Sequence, residues 1–269
     1  MLNKCNLYIS IRLTNSVIIN KVRDMELFAD YHTHTRHSHG KGTVLDNVAR
    51  ANEIGLAEIA ISDHGPGHMF GIGIKNLAVP DQIRSEIEAG MVLYPRVKVK
   101  LGIEANVTSI RGDIDIPPQY VGKLDLLLVG LHVMVRPEQW LDGLNRTAVH
   151  FLRGLSPGLR RKARLLNTEA IVNAVYRHPI DIVTHPGHRF AIDSRELAKA
   201  CAERNTAFEI NTSHRHITVE LIELAADAGV KFVICSDAHH PRRVGDFDYG
   251  IQMAKAAGLS RALILNAKQ

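Results

Sequence analysis

The chain has 269 residues, with 33 Lys and Arg against 28 Asp and Glu for a formal net charge of +5, and 45% of its residues are apolar. That composition suits one large domain with a substantial core, and it excludes a disordered chain, a disulfide scaffold and a membrane protein. The unusual count is 15 histidines, the side chain that most often ligates metals and titrates nearest neutrality.

At the N-terminus, Asn6, Ser10, Arg12 and Asn15 interrupt any apolar leader. Ile9, Ile11 and Leu13 alternate with polar residues as in a short strand, and Met25 precedes the first strongly patterned segment. Residues 1–24 therefore read as an N-terminal extension, either an appended strand or an unused upstream start, and residues 25–269 as the domain. No run approaches the roughly 20 apolar residues that span a bilayer. Cys5, Cys201 and Cys235 form no CxxC pair and read as reduced thiols, which suits a cytoplasmic protein.

From Met25 onward, β-rich runs alternate with amphipathic segments. The strand-like runs are Leu27–His32, Glu58–Asp63, Lys98–Ala105, Asp125–His132, Ile180–His185, Ala207–Thr212 and Lys231–Asp237. Their continuous apolar centres are those of parallel strands buried on both faces. Between them the spacing predicts helices over Val44–Ile54, Pro80–Tyr94, Thr168–Arg177, Ser194–Glu203, Val219–Asp227 and Phe247–Ala256, with Asp193 or Ser194 as a cap and Gly229 and Gly258 as stops. Seven such repeats without a linker predict one α/β domain, either an open doubly wound sheet or a barrel. Residues 133–167 break the rhythm. This segment, with Trp140, Pro157 and the basic cluster Arg153, Arg160, Arg161, Lys162 and Arg164, predicts one or two short helices over the mouth of a site. The cluster itself reads as a solvated helix face or as an anion-attracting rim.

Nearly every strand ends in a polar or metal-capable residue: His32 and His34, Asp63 and His64, Glu104, His132, His185, Asn211, then Asp237 and His239, with His39 shortly after the first. In parallel α/β folds these ends share one face, where ligands distant in sequence converge. So many histidines and carboxylates exceed one tetrahedral zinc and suit two or three divalent ions, with zinc, manganese and iron all compatible. His150, His178 and His240 read as surface residues, whereas His37, His68, His188, His214 and His216 lie in loops near the proposed face.

The segments DYHTHT, SDHG, GIEAN, GLH, THPG and SDAH, in this order over about residues 27–266, resemble the PHP (polymerase and histidinol phosphatase) family, in its branch of YcdX-like stand-alone metal-dependent phosphatases. The resemblance implies a distorted seven-stranded (β/α) TIM-like barrel with a trinuclear metal site at the C-terminal strand face. It also implies that His32, His34 and Asp237 hold one metal, that His132 and His185 hold a second with Glu104 bridging the two, and that His39, His64 and His239 hold the third. His37 competes with His39 for that last position; the following Gly-Lys-Gly-Thr turn favours His39.

A cluster of divalent cations suits phosphate-ester hydrolysis, in which a metal-bridging hydroxide attacks without a covalent protein nucleophile. The expected activity is a phosphomonoesterase acting on a small phosphorylated substrate. Arg189, Arg215 and Arg136 are candidates to bind its phosphate, and His216 or His214 to protonate the leaving oxygen. The alternatives are a phosphodiesterase or 3′–5′ exonuclease drawing nucleic acid to the basic segment, and a non-catalytic metal-binding interaction module.

Overall fold

Each apolar run expected to form a strand does so. The computed structural model describes residues 25–137 and 149–269. Its strands are β1 (Ala29–Asp30), β2 (Glu58–Ile61), β3 (Lys98–Asn106), β4 (Leu126–Gly130), β5 (Ile182–Val183), β6 (Ala207–Asn211) and β7 (Phe232–Cys235). They pair in chain order, all in parallel. That order lacks the reversal of a doubly wound sheet. Beyond the strand ends Thr33 bridges to Ala238, so β1 and β7 meet and the barrel is nearly closed.

Alternate strand residues sort into two apolar clusters. Ile59, Ile61, Ile103, Leu127, Val129, Phe208 and Ile234 pack with helix residues such as Val48, Ile83 and Ile171. Ala29, Ala60, Leu126, Leu128, Ile182, Ala207, Val233 and Cys235 cluster with no helix residue and fill the barrel interior. Buried on both faces, the strands read as unbroken apolar runs. Cys201 and Cys235 are buried free thiols within this packing.

The helices are α1 (Val44–Glu53), α2 (Val79–Leu93), the one-turn α3 (Pro118–Val121), α4 (Pro157–Arg177), α5 (Ser194–Arg204), α6 (Val219–Asp227) and α7 (Asp248–Ala256). Thr43 and Asp46 form a capping box at α1, and Asp193 caps α5. Gly229 and Gly258 follow α6 and α7 with φ of 88° and 64°, a left-handed conformation that glycine adopts freely at a helix end.

The expected start of a helix at Thr168 is corrected. α4 begins at Pro157, not at Thr168, because proline at the first helical position has no intrahelical N–H to lose and Ser156 Oγ accepts from the Leu159 N–H at 3.2 Å. The segment thus holds the first three turns of a 21-residue helix, a helical stretch at 149–152 and a ribbon at 133–137. Arg160, Arg161, Lys162 and Arg164 lie on the exposed face of α4, and Arg164 pairs with Asp193 at 3.3 Å. His150 is not a surface residue: it is buried with its ring 4.3 Å from that of Phe190. His178 is half-buried against the Gly112 carbonyl at 3.0 Å, while His240 is exposed. The expectations for residues 1–24 and for Trp140 lie outside the described residues. No helix among the described residues is long and apolar enough to cross a membrane.

Candidate metal centre

The His32/His34 pair and the Asp237/His239 pair, from opposite ends of the chain, are neighbours. The Ala238 N–H donates to the His32 carbonyl at 3.2 Å and the His34 N–H to the Ala238 carbonyl at 2.8 Å, so His32-Thr33-His34 runs beside Asp237-Ala238-His239. Asp237 and His185 carry positive φ values of 51° and 29°. Such strain in non-glycine residues is retained where the surroundings force it, commonly at functional sites.

Glu104, at the end of β3, is the hub. Its Oε1 lies 3.0 Å from His185 Nε2 and 3.2 Å from His132 Nε2, and its Oε2 lies 2.9 Å from His64 Nδ1 and 3.2 Å from His32 Nε2. Asp237 Oδ1 lies 3.3 Å from His34 Nε2 and 3.4 Å from His239 Nδ1, and its Oδ2 lies 3.2 Å from His214 Nε2. Ligand-type atoms converge in three groups: His32, His34 and Asp237; His64, Glu104 and His132; and His34, His64 and His239. The His39 ring stands 4.3 Å from that of His239 and 5.0 Å from that of His64. All nine strand-end and loop residues therefore meet in one place. His37 does not: it turns outward to Glu86, 2.9 Å away.

The residues fit divalent metals. His32 Nε2, both ring nitrogens of His34, His64 Nδ1, Glu104 Oε2 and His132 Nδ1 are buried without a hydrogen-bond partner, a costly arrangement unless another group satisfies them. Burial holds the His34 imidazole well below its ordinary pKa and pushes His64 down to about 3, leaving both in the neutral form that ligates. Burial opposes ionisation of Glu104 and Asp237, but His32 and the other imidazoles outweigh it and keep both carboxyls well below the usual range. His32 is held well above its ordinary value, because Glu209, Glu104 and Asp237 together outweigh its burial.

A second layer orients this set. Glu209 Oε1 faces His32 Nδ1 at 2.6 Å, and its Oε2 accepts from the His185 N–H at 2.7 Å and from Asn211 Nδ2 at 3.0 Å. Sequence reasoning passed over this residue, although a carboxylate inside the buried run AFEIN was signal enough. Asp63 accepts from Thr35 N–H and Oγ1 at 2.7 and 2.6 Å, shaping the turn toward His39.

Above the cluster lies a cleft of about 230 Å³ lined also by His68, Ile72, Leu131, Val133, His188, Arg189, Phe190 and His214. Of the candidate phosphate ligands, Arg189 lines the cleft, Arg215 stacks over Tyr249 at 5.5 Å, and Arg136 is exposed with its N–H donating to the Gly67 carbonyl. Of the candidate acids, His214 lines the cleft and stacks on His188 at 3.9 Å, whereas His216 directs Nε2 to the Pro186 carbonyl at 3.1 Å.

The sequence profile of the PHP domain family matches residues 30–257. The chain is 31% identical over 259 residues to a probable phosphatase of Thermoanaerobacter sp. (strain X514), covering 90% of this chain and 91% of that protein. It is 30% identical over 256 residues to a probable phosphatase of Shewanella piezotolerans, covering 90% of each. Among solved structures it resembles a candidate histidinol phosphatase from Listeria monocytogenes (TM-score 0.61, 17% identity, 81% of this chain and 97% of that one). It also resembles the histidinol phosphate phosphatase of Lactococcus lactis solved with zinc, L-histidinol and phosphate (TM-score 0.56, 16% identity, 86% and 94%). At those identities the structural likeness concerns the fold.

Proposed function

The chain belongs to the PHP domain family and is a phosphate-ester hydrolase like its relatives, and from that premise we propose that it is a metal-dependent phosphomonoesterase acting on a small phosphorylated substrate. The observation that carries this reading is Glu104, with an imidazole nitrogen within 3.2 Å on four sides, at the floor of a cleft of only about 230 Å³. That volume is below the roughly 300 Å³ at which pockets for drug-sized ligands begin.

In this reading His32, His34 and Asp237 would hold one divalent metal, His132 and His185 with Glu104 a second, and His39, His64 and His239 a third; zinc, manganese and iron all suit such donors. When bound, such metals neutralise phosphate oxygens and supply hydroxide near neutral pH. Arg189, on the cleft wall, binds the phosphate through its guanidinium. For protonating the leaving oxygen we assign His214, which lines the cleft, in place of His216, which is not among the residues lining it.

The test is a paired measurement on full-length protein purified without chelator: bound metal by mass spectrometry, and turnover of an aryl phosphate monoester and diester. Two or three metals per chain with monoester turnover are expected. Glu104→Gln removes the central charge and should lower turnover by at least about a hundredfold together with metal content. Full activity in that variant would overturn the assignment. Cleavage of the diester alone would replace it with a nuclease reading.

A further inference from the structure

The turn after β2, Gly65-Pro66-Gly67, is folded around a carboxylate. Asp115, in the loop between β3 and α3, accepts through Oδ2 from the Gly67 N–H at 2.8 Å and from Asn106 Nδ2 at 2.6 Å, and through Oδ1 from the Asn106 N–H at 2.8 Å. Its own N–H donates back to the Asn106 carbonyl at 3.1 Å. Hydrogen bonds to an ionised acceptor are about twice as strong as neutral ones, so three donors on one carboxylate make a firm joint between the turn and the end of β3. A Cβ at Gly65 would collide with both carboxylate oxygens, and one at Gly67 would stand 2.8 Å from the Asp115 Cβ; glycine at both positions lets the turn close on Asp115.

The turn is also held from its other side. The Arg136 N–H donates to the Gly67 carbonyl at 2.8 Å and the Met69 N–H to the Met134 carbonyl at 2.9 Å, while His68 forms an antiparallel bridge with Val135. Fixed between these two holds, His68 lines the cleft. Its ring stands 5.1 Å from that of His64 and 5.6 Å from that of His132, the imidazoles that face the two oxygens of Glu104. His68 belongs to none of the three groups of converging ligand atoms, and among the described residues its Nδ1 is buried without a hydrogen-bond partner. An imidazole so placed offers a polar ring to whatever enters the cleft.

Resting on the monoesterase reading above, we propose that His68 is a further substrate-binding residue, which donates a hydrogen bond to a phosphate oxygen of the substrate, and that Asp115 is the positioning residue that sets it there through Gly67.

Inorganic phosphate is the probe, titrated calorimetrically into metal-loaded full-length protein. Its Kd should rise about tenfold in His68→Ala. Two variants test the hold on the turn: Asp115→Asn keeps one acceptor oxygen, and Gly67→Ala displaces the turn while leaving the carboxylate intact, so either suffices if the other fails to fold. Each should weaken phosphate by about fivefold, and combined with His68→Ala should weaken it no further than His68→Ala does alone, because residues acting through one contact are not additive. With an aryl phosphate the loss should fall on KM and leave kcat within about threefold, with metal content unchanged. Additive losses in the double variants, unaltered phosphate affinity in His68→Ala, a loss confined to kcat, or a loss that follows lost metal would overturn the proposal. Non-additive loss of phosphate affinity in a protein that turns over no monoester would uphold the coupling of Asp115 to His68 and overturn the monoesterase reading instead.

Discussion

Glu209 occupies a position in β6 where a carboxylate is tolerated only if its oxygens are taken. Both are, by His32, His185 and Asn211, which sets the ring orientation of one candidate ligand and the backbone of another. Glu209→Gln keeps the shape and removes the charge behind His32. Metal affinity measured by chelator competition should fall about 10–100-fold, and an unchanged affinity would mean that Glu209 only fills space. His178, remote from the metal centre, illustrates a titration of the opposite kind. Burial lowers its pKa below the ordinary 6.5, so the unfolded chain binds its proton more readily than the folded one. Its contribution to stability is complete above the unfolded value and is lost as pH falls below it. In His178→Gln the loss of Tm between about pH 7 and pH 5 should be smaller than in the unaltered protein; an equal loss would assign the acid sensitivity elsewhere. His37 and His39 show where local reading ends at this scale. Both follow the same strand, and only the position of Glu86 on α2 shows that His37 turns away.

The elements were largely legible, because burial on both faces writes each strand as an apolar run and α1, α4, α5 and α6 carry N-cap side chains, Thr43, Ser156, Asp193 and Thr218. What the runs do not contain is the closure of the barrel. β1 is two residues long and forms no ladder with β7. Asn266, from the C-terminal segment, bridges the gap instead: its Nδ2 donates to the Ala29 and Ile234 carbonyls at 2.8 and 2.7 Å, and its Oδ1 accepts from the Ile234 N–H at 3.1 Å. Asp30 adds to the seam, accepting from the Ser236 N–H and hydroxyl at 3.1 and 2.5 Å and from the Gly245 N–H at 3.0 Å. Asn266→Ala would leave buried backbone groups unpaired and should destabilise the fold by about 3 kcal/mol, read from denaturant unfolding. A change below about 0.5 kcal/mol would show that the seam is held by other contacts. The start of α4 is less legible than its later turns. Pro157 signals a break or a beginning, and the Ser156 cap decides for the beginning.

For the whole molecule, the two apolar clusters contain none of the nine candidate metal ligands. Metals that bind only the folded state add stability by mass action, roughly 3–4 kcal/mol at 100–1,000 times Kd. Chelation should therefore lower Tm by about 5–15 °C while the helical circular dichroism at 25 °C persists and phosphatase activity disappears. Collapse of the helical signal on chelation would make the metals structural. The amino-acid sequence by itself determined the number and order of the strands and the residues at their ends, because period, burial and strand termination are local properties that neighbours along the chain express. Tertiary structure alone decided which nitrogen faces which oxygen, that Glu209 stands behind His32, and that His214 and not His216 lines the cleft. Such relations join residues as far apart as Ala29 and Asn266, 237 positions in sequence, and they arise only when the strands close on one another and each side chain settles into the one orientation its new neighbours allow.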